Sequence, residues 1–170
     1  GCAMRMNYKF FIACVLTLAL IIVGINRIST SNLSERKYSE NSGQITTTCE
    51  YLNGEQFKTY DVVRLDIFDS LTKINCSKKD DSNGGYVNTD YTITDSNLIG
   101  CLEVLSNHGF LRIIKEYNYI YFQTKGSFNE SVGLIYSPAE EPDLSEINAK
   151  KQILKKLKTD GWYYNKTIYD

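Results

Sequence analysis

The sequence predicts an α+β fold: a mostly antiparallel sheet with two or three helices packed on one face, preceded by an N-terminal transmembrane helix. Three observations predict it. Residues Phe10 to Ile25 form an uncharged apolar run, FFIACVLTLALIIVGI, bounded by Lys9 and Arg27. Beyond it, stretches of helical periodicity alternate with stretches of period two. From Phe110 onward the period-two stretches are aromatic and joined by short turns, the pattern of hairpins rather than of parallel crossovers.

The apolar run comes first in the chain. Its sixteen residues would span about 24 Å as a helix, short of a hydrocarbon core of about 30 Å. Tyr8 and Ile28 extend it, and Lys9 and Arg27 can carry their charges outward, which brings the usable length to about twenty residues. The competing reading is a cleaved secretory signal, but Val23-Gly24 is a poor small-x-small site and no A-x-A follows. Phe11-Ile12-Ala13-Cys14 has the outline of a lipobox, yet the apolar run continues past Cys14 instead of ending before it. An uncleaved single-pass anchor is therefore the expectation, with a cleaved and secreted domain as second choice. Arg5 and Lys9 precede the run and only Arg27 follows closely, a slight bias that places the C-terminal domain outside the cytoplasm. The expected organisation is a short tail 1–9, an anchor 10–28, a flexible stalk 29–44 rich in Ser, Asn and charge, and one globular domain 45–170.

Composition narrows the partners. Lys and Arg number 19 against 20 Asp and Glu, a balance that gives no electrostatic ground for nucleic acid or an acidic substrate. The abundance of Asn, Ile, Lys and Tyr fits a bacterial source with AT-rich coding.

Within the domain, Ile45 to Leu52 (ITTTCEYL) reads as a Thr-rich strand. Asn53 and Gln56 have the spacing of a capping box. On a helical wheel Phe57, Tyr60, Val63, Ile67, Phe68, Leu71 and Ile74 fall within an arc of about 140°, which predicts a helix. The rival there is a strand, because Val63, Leu65 and Ile67 also alternate. Ser77 to Gly85 is a charged loop, and Tyr86 to Thr94 a strand with two unlike faces. Asp95 or Ser96 caps the next helix, whose stripe is Leu98, Cys101, Leu102 and Leu105, and Gly109 ends it. Phe110–Glu116 and Tyr119–Lys125 form a hairpin, a third strand runs from Ser131 to Tyr136, and Trp162–Tyr169 is an aromatic strand after Asp160-Gly161. Leu144 to Lys158 has helical length, but its apolar residues spread too widely round the wheel to define a face.

The chemistry-bearing residues are few. Of five cysteines, Cys2 and Cys14 lie in or beside the anchor, and Cys101 sits on an apolar helical stripe. Cys49 and Cys76 adjoin polar residues and are expected to pair as a disulfide in an oxidising compartment. No C-x-x-C and a single histidine, His108, give no basis for a metal site, and no nucleotide or cofactor fingerprint is present. His108 has no recognisable catalytic partner, and Asp61, Asp66 and Asp69 do not converge on a wheel. The lysines from Lys150 to Lys158 read as a solvated face. What stands out is aromatic: Tyr117, Tyr119 and Tyr121 alternate onto one face, and Trp162, Tyr163 and Tyr164 add rings nearby. Cross-strand bracing explains them as structure; a binding face explains them as function, since Tyr and Trp combine contact area with a polar tip. The expectation is a membrane-anchored, exported binding or interaction domain, such as a bacterial envelope accessory or toxin-neutralising protein, with a small-ligand-binding domain as the alternative and catalysis the least supported. No catalytic residue, cofactor or metal ligand is expected.

Overall fold

The computed structural model describes residues 33–82, 84–116, 118–145 and 147–170. The chain divides into two units, Gly1–Leu33 and Ser34–Asp170. The expected tail, the membrane segment, the start of the stalk and Tyr117 lie outside the described residues. Among the described residues no helix is long and apolar enough to cross a membrane. The second unit is an α+β domain built on an eight-stranded sheet in which every neighbouring pair is antiparallel.

The N-terminal part of this unit departs from expectation. Residues 34–40 are helical, and helix α1 follows at Ser42–Leu52, so no strand forms at Ile45–Leu52. Asn41, Ile45, Thr48 and Leu52 are buried at spacings of four, three and four, with Ser34 and Cys49 buried beside them, a helical stripe hidden by polar residues. The polar groups of Asn41 and Thr48 are satisfied: Asn41 Nδ2 donates to the Lys37 carbonyl at 2.8 Å and its Oδ1 shares a hydrogen bond with His108, and Thr48 Oγ1 donates to the Gln44 carbonyl at 2.8 Å. The Tyr38 ring lies 4.7 Å from that of Trp162, and Glu35 accepts from the Lys158 amide. The stretch expected to be stalk is thus held against the sheet from residue 34 onward.

Asn53, expected to begin a helix, instead ends one, and a single 3-10 turn at Glu55–Phe57 buries Phe57. The expected helix through Phe57 to Ile74 is replaced by strands β1 (Val62–Leu65) and β2 (Lys73–Lys79), paired with Val63 opposite Cys76. Alternation outweighed the helical stripe because Val63, Leu65 and Ile67 are all buried while Arg64 and Asp66 turn the other way. The connecting turn is closed by the Asp66 carbonyl, which accepts from the amides of Asp69 at 2.9 Å and Ser70 at 3.0 Å.

The remaining elements follow the sequence pattern closely. After strand β3 (Tyr86–Thr92), helix α2 (Ser96–Asn107) starts with the Asp95 carboxylate accepting from the amides of Asn97 at 2.9 Å and Leu98 at 3.2 Å. It stops at Gly109, whose φ of +78° a side chain would resist. Strands β4 (Arg112–Glu116), β5 (Tyr119–Ser127) and β6 (Glu130–Tyr136) form a meander, and β8 (Trp162–Ile168) pairs with β6. The ambiguous segment after Leu144 is coil leading into β7 (Lys151–Lys156). Strand order is β3-β2-β1-β4-β5-β6-β8-β7.

Two faces result. The helices and the facing residues of the sheet share one core, with Ile45, Leu52, Leu98, Leu102 and Leu105 against Ile74, Ile113, Phe122, Leu134 and Trp162. The opposite face carries a second cluster, Tyr119, Ile135, Leu144 and Tyr163, with Tyr121, Ile147 and Leu154 packed against it. No helix covers this face among the described residues; the coil bearing Leu144 and Ile147 folds over part of it.

Candidate functional site

A cleft of about 300 Å³ opens on the second face, across strands β4, β5, β6 and β8. Strand pleating puts residues i and i+2 on the same side, so Arg112, Ile114 and Glu116 line it from β4, and Tyr119, Tyr121 and Gln123 from β5. Ser131 and Ile135 come from β6, Asn165 and Thr167 from β8, and Leu144 with Ile147 form one wall. Gly133 occupies the matching position between Ser131 and Ile135, and the Tyr121 ring lies across it. A Cβ there would stand 2.6 Å from Tyr121 Cε2 and 2.2 Å from the Phe122 carbonyl oxygen. An irregularity in β5 between Gln123 and Lys125 shifts the register opposite this glycine.

The polar groups of the cleft form a chain of neutral hydrogen bonds. Tyr121 Oη and Ser131 Oγ are 2.6 Å apart, and Gln123 Nε2 donates to Ser131 Oγ at 3.0 Å. Asn165 Nδ2 donates to Thr167 Oγ1 at 3.2 Å, and Asn165 Oδ1, fully buried, has no donor among the described residues. Leaving such an acceptor unpaired costs about 1–3 kcal/mol. Burial raises the Tyr121 phenol well above its usual range, and burial together with the bond to Glu116 does the same for Tyr119. Both are uncharged hydroxyls at any physiological pH.

The charged lining residues are already engaged. Tyr119 Oη donates to Glu116 Oε2 at 2.6 Å. At the other end Arg112 pairs with Asp66, which Arg64 also holds at 2.7 Å. Burial would raise the Asp66 carboxyl, but hydrogen bonds from Arg64 and Arg112 outweigh it and hold the group below its ordinary value. The cleft therefore offers hydroxyl and amide groups over tyrosine rings, with its ionic groups neutralised at the margins.

The aromatic residues singled out in the sequence separate by strand parity. Tyr119, Tyr121 and Tyr163 share the cleft face, whereas Trp162 and Tyr164 point into the core under the helices. Three consecutive strand residues cannot all face one way, which corrects the single aromatic face; Tyr117 is outside the described residues. Gln123, Asn165 and Thr167 are further lining residues whose signal is alternation along the strand from Tyr121 and Tyr163, whereas Ser131 lies on β6 and reaches Tyr121 only through strand pairing. Cys49 and Cys76 are free thiols, both buried in the helix-side core, not a disulfide. Burial pushes them up to about 12 and about 11 respectively, so each behaves as a small apolar residue. His108 is remote from the cleft lining and shares a hydrogen bond with Asn41 Oδ1. No group of His, Cys, Asp and Glu suited to a metal ion occurs among the described residues.

Comparison with known proteins returns no match: no family model, no curated protein and no solved structure matches the chain.

Proposed function

We propose that this protein is a binding module that takes a small, uncharged, polar ligand in the cleft over Tyr121, presented outside the cytoplasm by a membrane segment at Phe10–Ile25. The observation that carries the reading is the character of the cleft: about 300 Å³ of concave space lined by Tyr, Ser, Gln, Asn and Thr. Among the described residues its charged lining groups, Arg112 and Glu116, are already bonded to Asp66 and Tyr119. A charged ligand would have to break those pairs or remain uncompensated in a partly dry site. A neutral ligand bearing hydroxyl or amide groups can match the lining without doing so. Membrane attachment and export rest on the apolar run and the flanking charges alone.

A second reading, docking of a macromolecule, is favoured by a different feature. Phe68, in the β1–β2 turn, and Phe128, at the β5–β6 tip, are 76% and 99% exposed, and both border one shallow groove. The test between the two uses the full chain in mild detergent and a panel of neutral probes: monosaccharides, N-acetylated monosaccharides and short uncharged peptides. Saturable binding to one probe class, weakened at least tenfold by Ser131→Ala and by Tyr121→Phe, which line the cleft and not the groove, but not by Phe128→Ser, supports the cleft. Binding that none of the cleft substitutions changes contradicts it.

A further inference from the structure

The two edges of the sheet are built differently. Edge strand β7 reads KQILKK, and its lysines discourage any further strand from pairing. Edge strand β3, YVNTDYT, carries one charge, Asp90, and all seven residues are exposed. Its hydrogen-bonding parity follows from its ends: Gly85 accepts from the Asp80 amide, and Ile93 donates to the Thr72 carbonyl. Odd-numbered residues therefore direct their backbone groups to β2, and Tyr86, Asn88, Asp90 and Thr92 direct theirs outward.

We infer that β3 is a homodimerisation edge, on which a second copy of this chain pairs antiparallel about a twofold axis at Thr89. Outward residues must meet outward residues, which limits the symmetric registers to those centred on a residue of the strand. Centring on Asp90 sets two carboxylates directly opposite each other, and like charges there are destabilising. Centring on Asn88 leaves part of the strand without a partner. Centring on Thr89 uses all seven residues, with Tyr86 opposite Thr92 and Asn88 opposite Asp90 in hydrogen-bonded pairs. Side chains are closest in the other pairs, and there Val87 meets Tyr91 and Thr89 meets itself. Val87 and Tyr91 are 57% and 36% exposed, and their pairing covers apolar surface that the isolated sheet leaves open. An aromatic ring against a β-branched side chain is a favourable cross-strand pair, and Asn88 can donate to the free oxygen of Asp90, whose Oδ1 already accepts from Asn75. The interface is isologous, so it closes at two copies, and each lysine-bearing β7 remains at an outer edge.

The test is site-directed cross-linking in the full chain, in mild detergent, with Cys2, Cys14 and Cys101 replaced by serine. Thr89→Cys places a thiol opposite its own copy, so mild oxidation yields a dimer that reductant dissolves. Val87→Cys faces Tyr91 of the second copy and forms no disulfide-linked dimer under the same oxidant. Asn88→Pro removes an outward backbone amide that makes no bond to β2, together with the bond that Asn88 Oδ1 accepts from Ser77 Oγ; Asn88→Ala loses that side-chain bond alone, and relative to it Asn88→Pro lowers dimer affinity at least tenfold in sedimentation equilibrium. The inference is overturned if Thr89→Cys does not cross-link at concentrations where the parent chain sediments as a dimer, or if the parent is monomeric throughout. It is equally overturned if Val87→Cys cross-links as readily as Thr89→Cys.

Discussion

The ring of Tyr121 lies across Gly133 on the neighbouring strand, in a gap that no larger residue could share. A Cβ at 133 would approach Tyr121 Cε2 to 2.6 Å and the Phe122 carbonyl to 2.2 Å. Because the second contact is to backbone, neither side can yield without moving β5. Gly133→Ala should therefore destabilise the domain by about 2–3 kcal/mol, the cost of overpacking a tight site. It should also displace Tyr121 from Ser131. Chemical denaturation gives the first effect; an unchanged midpoint would show that the strands separate more easily than this contact allows.

The unpartnered Asn165 Oδ1 separates function from stability. Asn165 and Thr167 bond each other beneath the cleft, and one acceptor is left over. Replacing both, as Asn165→Leu with Thr167→Val, removes two polar groups together and keeps similar shapes. Stability should hold or rise by about 1 kcal/mol, since removing both partners avoids leaving either one unsatisfied. Binding of the neutral probe should be lost. A double variant that is much less stable would mean that this pair serves the fold rather than the cleft.

The Asp66 cluster predicts a definite pH response. Its carboxyl is held below the ordinary value near 3.8 because Arg64 and Arg112 hydrogen-bond the charged form. A group with a depressed folded-state pKa contributes stability above its unfolded value and loses that contribution as pH falls through the folded one. The melting temperature of the parent should exceed that of Asp66→Asn at pH 6. The difference should shrink as pH drops below about 4, the ordinary carboxylate range. A gap that stays constant down to pH 2.5 would remove Asp66 as its source.

The cysteines supply a fourth outcome. Cys49 and Cys76 are buried thiols raised by desolvation, whereas Cys101 is half exposed. A thiol reagent at neutral pH should label Cys101 in the folded chain, and Cys49 and Cys76 only after unfolding. Peptide mapping reads this directly. Recovery of a Cys49–Cys76 peptide linked without added oxidant would contradict it.

The legibility of the sequence varied with how each element is held. Helix α2 was plain because its aliphatic stripe, its Asp95 cap and its Gly109 stop all agree. The β4–β5–β6 meander and β8 were plain because aromatic and β-branched residues alternate there. Helix α1 was hidden: Asn41 and Thr48 fill its buried face, and they are tolerated only because one bonds His108 and the Lys37 carbonyl and the other the Gln44 carbonyl. Strands β1 and β2 mimic a helix because Phe57, Val63, Ile67, Leu71 and Ile74 satisfy a helical period by coincidence, while the pairing of β1 with β4 and of β2 with β1 and β3 decides the matter through contacts between strands. The cleft was half visible. Tyr119 and Tyr121 were recognisable, but which of Trp162, Tyr163 and Tyr164 joins them depends on the β6–β8 register, set by Leu134 opposite Tyr164.

The central claim, that the open face of the sheet binds a small neutral ligand, is tested most directly by mapping amide chemical shifts of the full chain during titration with the neutral probe panel. The account predicts saturable shifts centred on Tyr121, Ser131 and Asn165, absent when Ser131 is alanine. Shifts confined to the turns bearing Phe68 and Phe128, or no saturable shift with any probe, would contradict it.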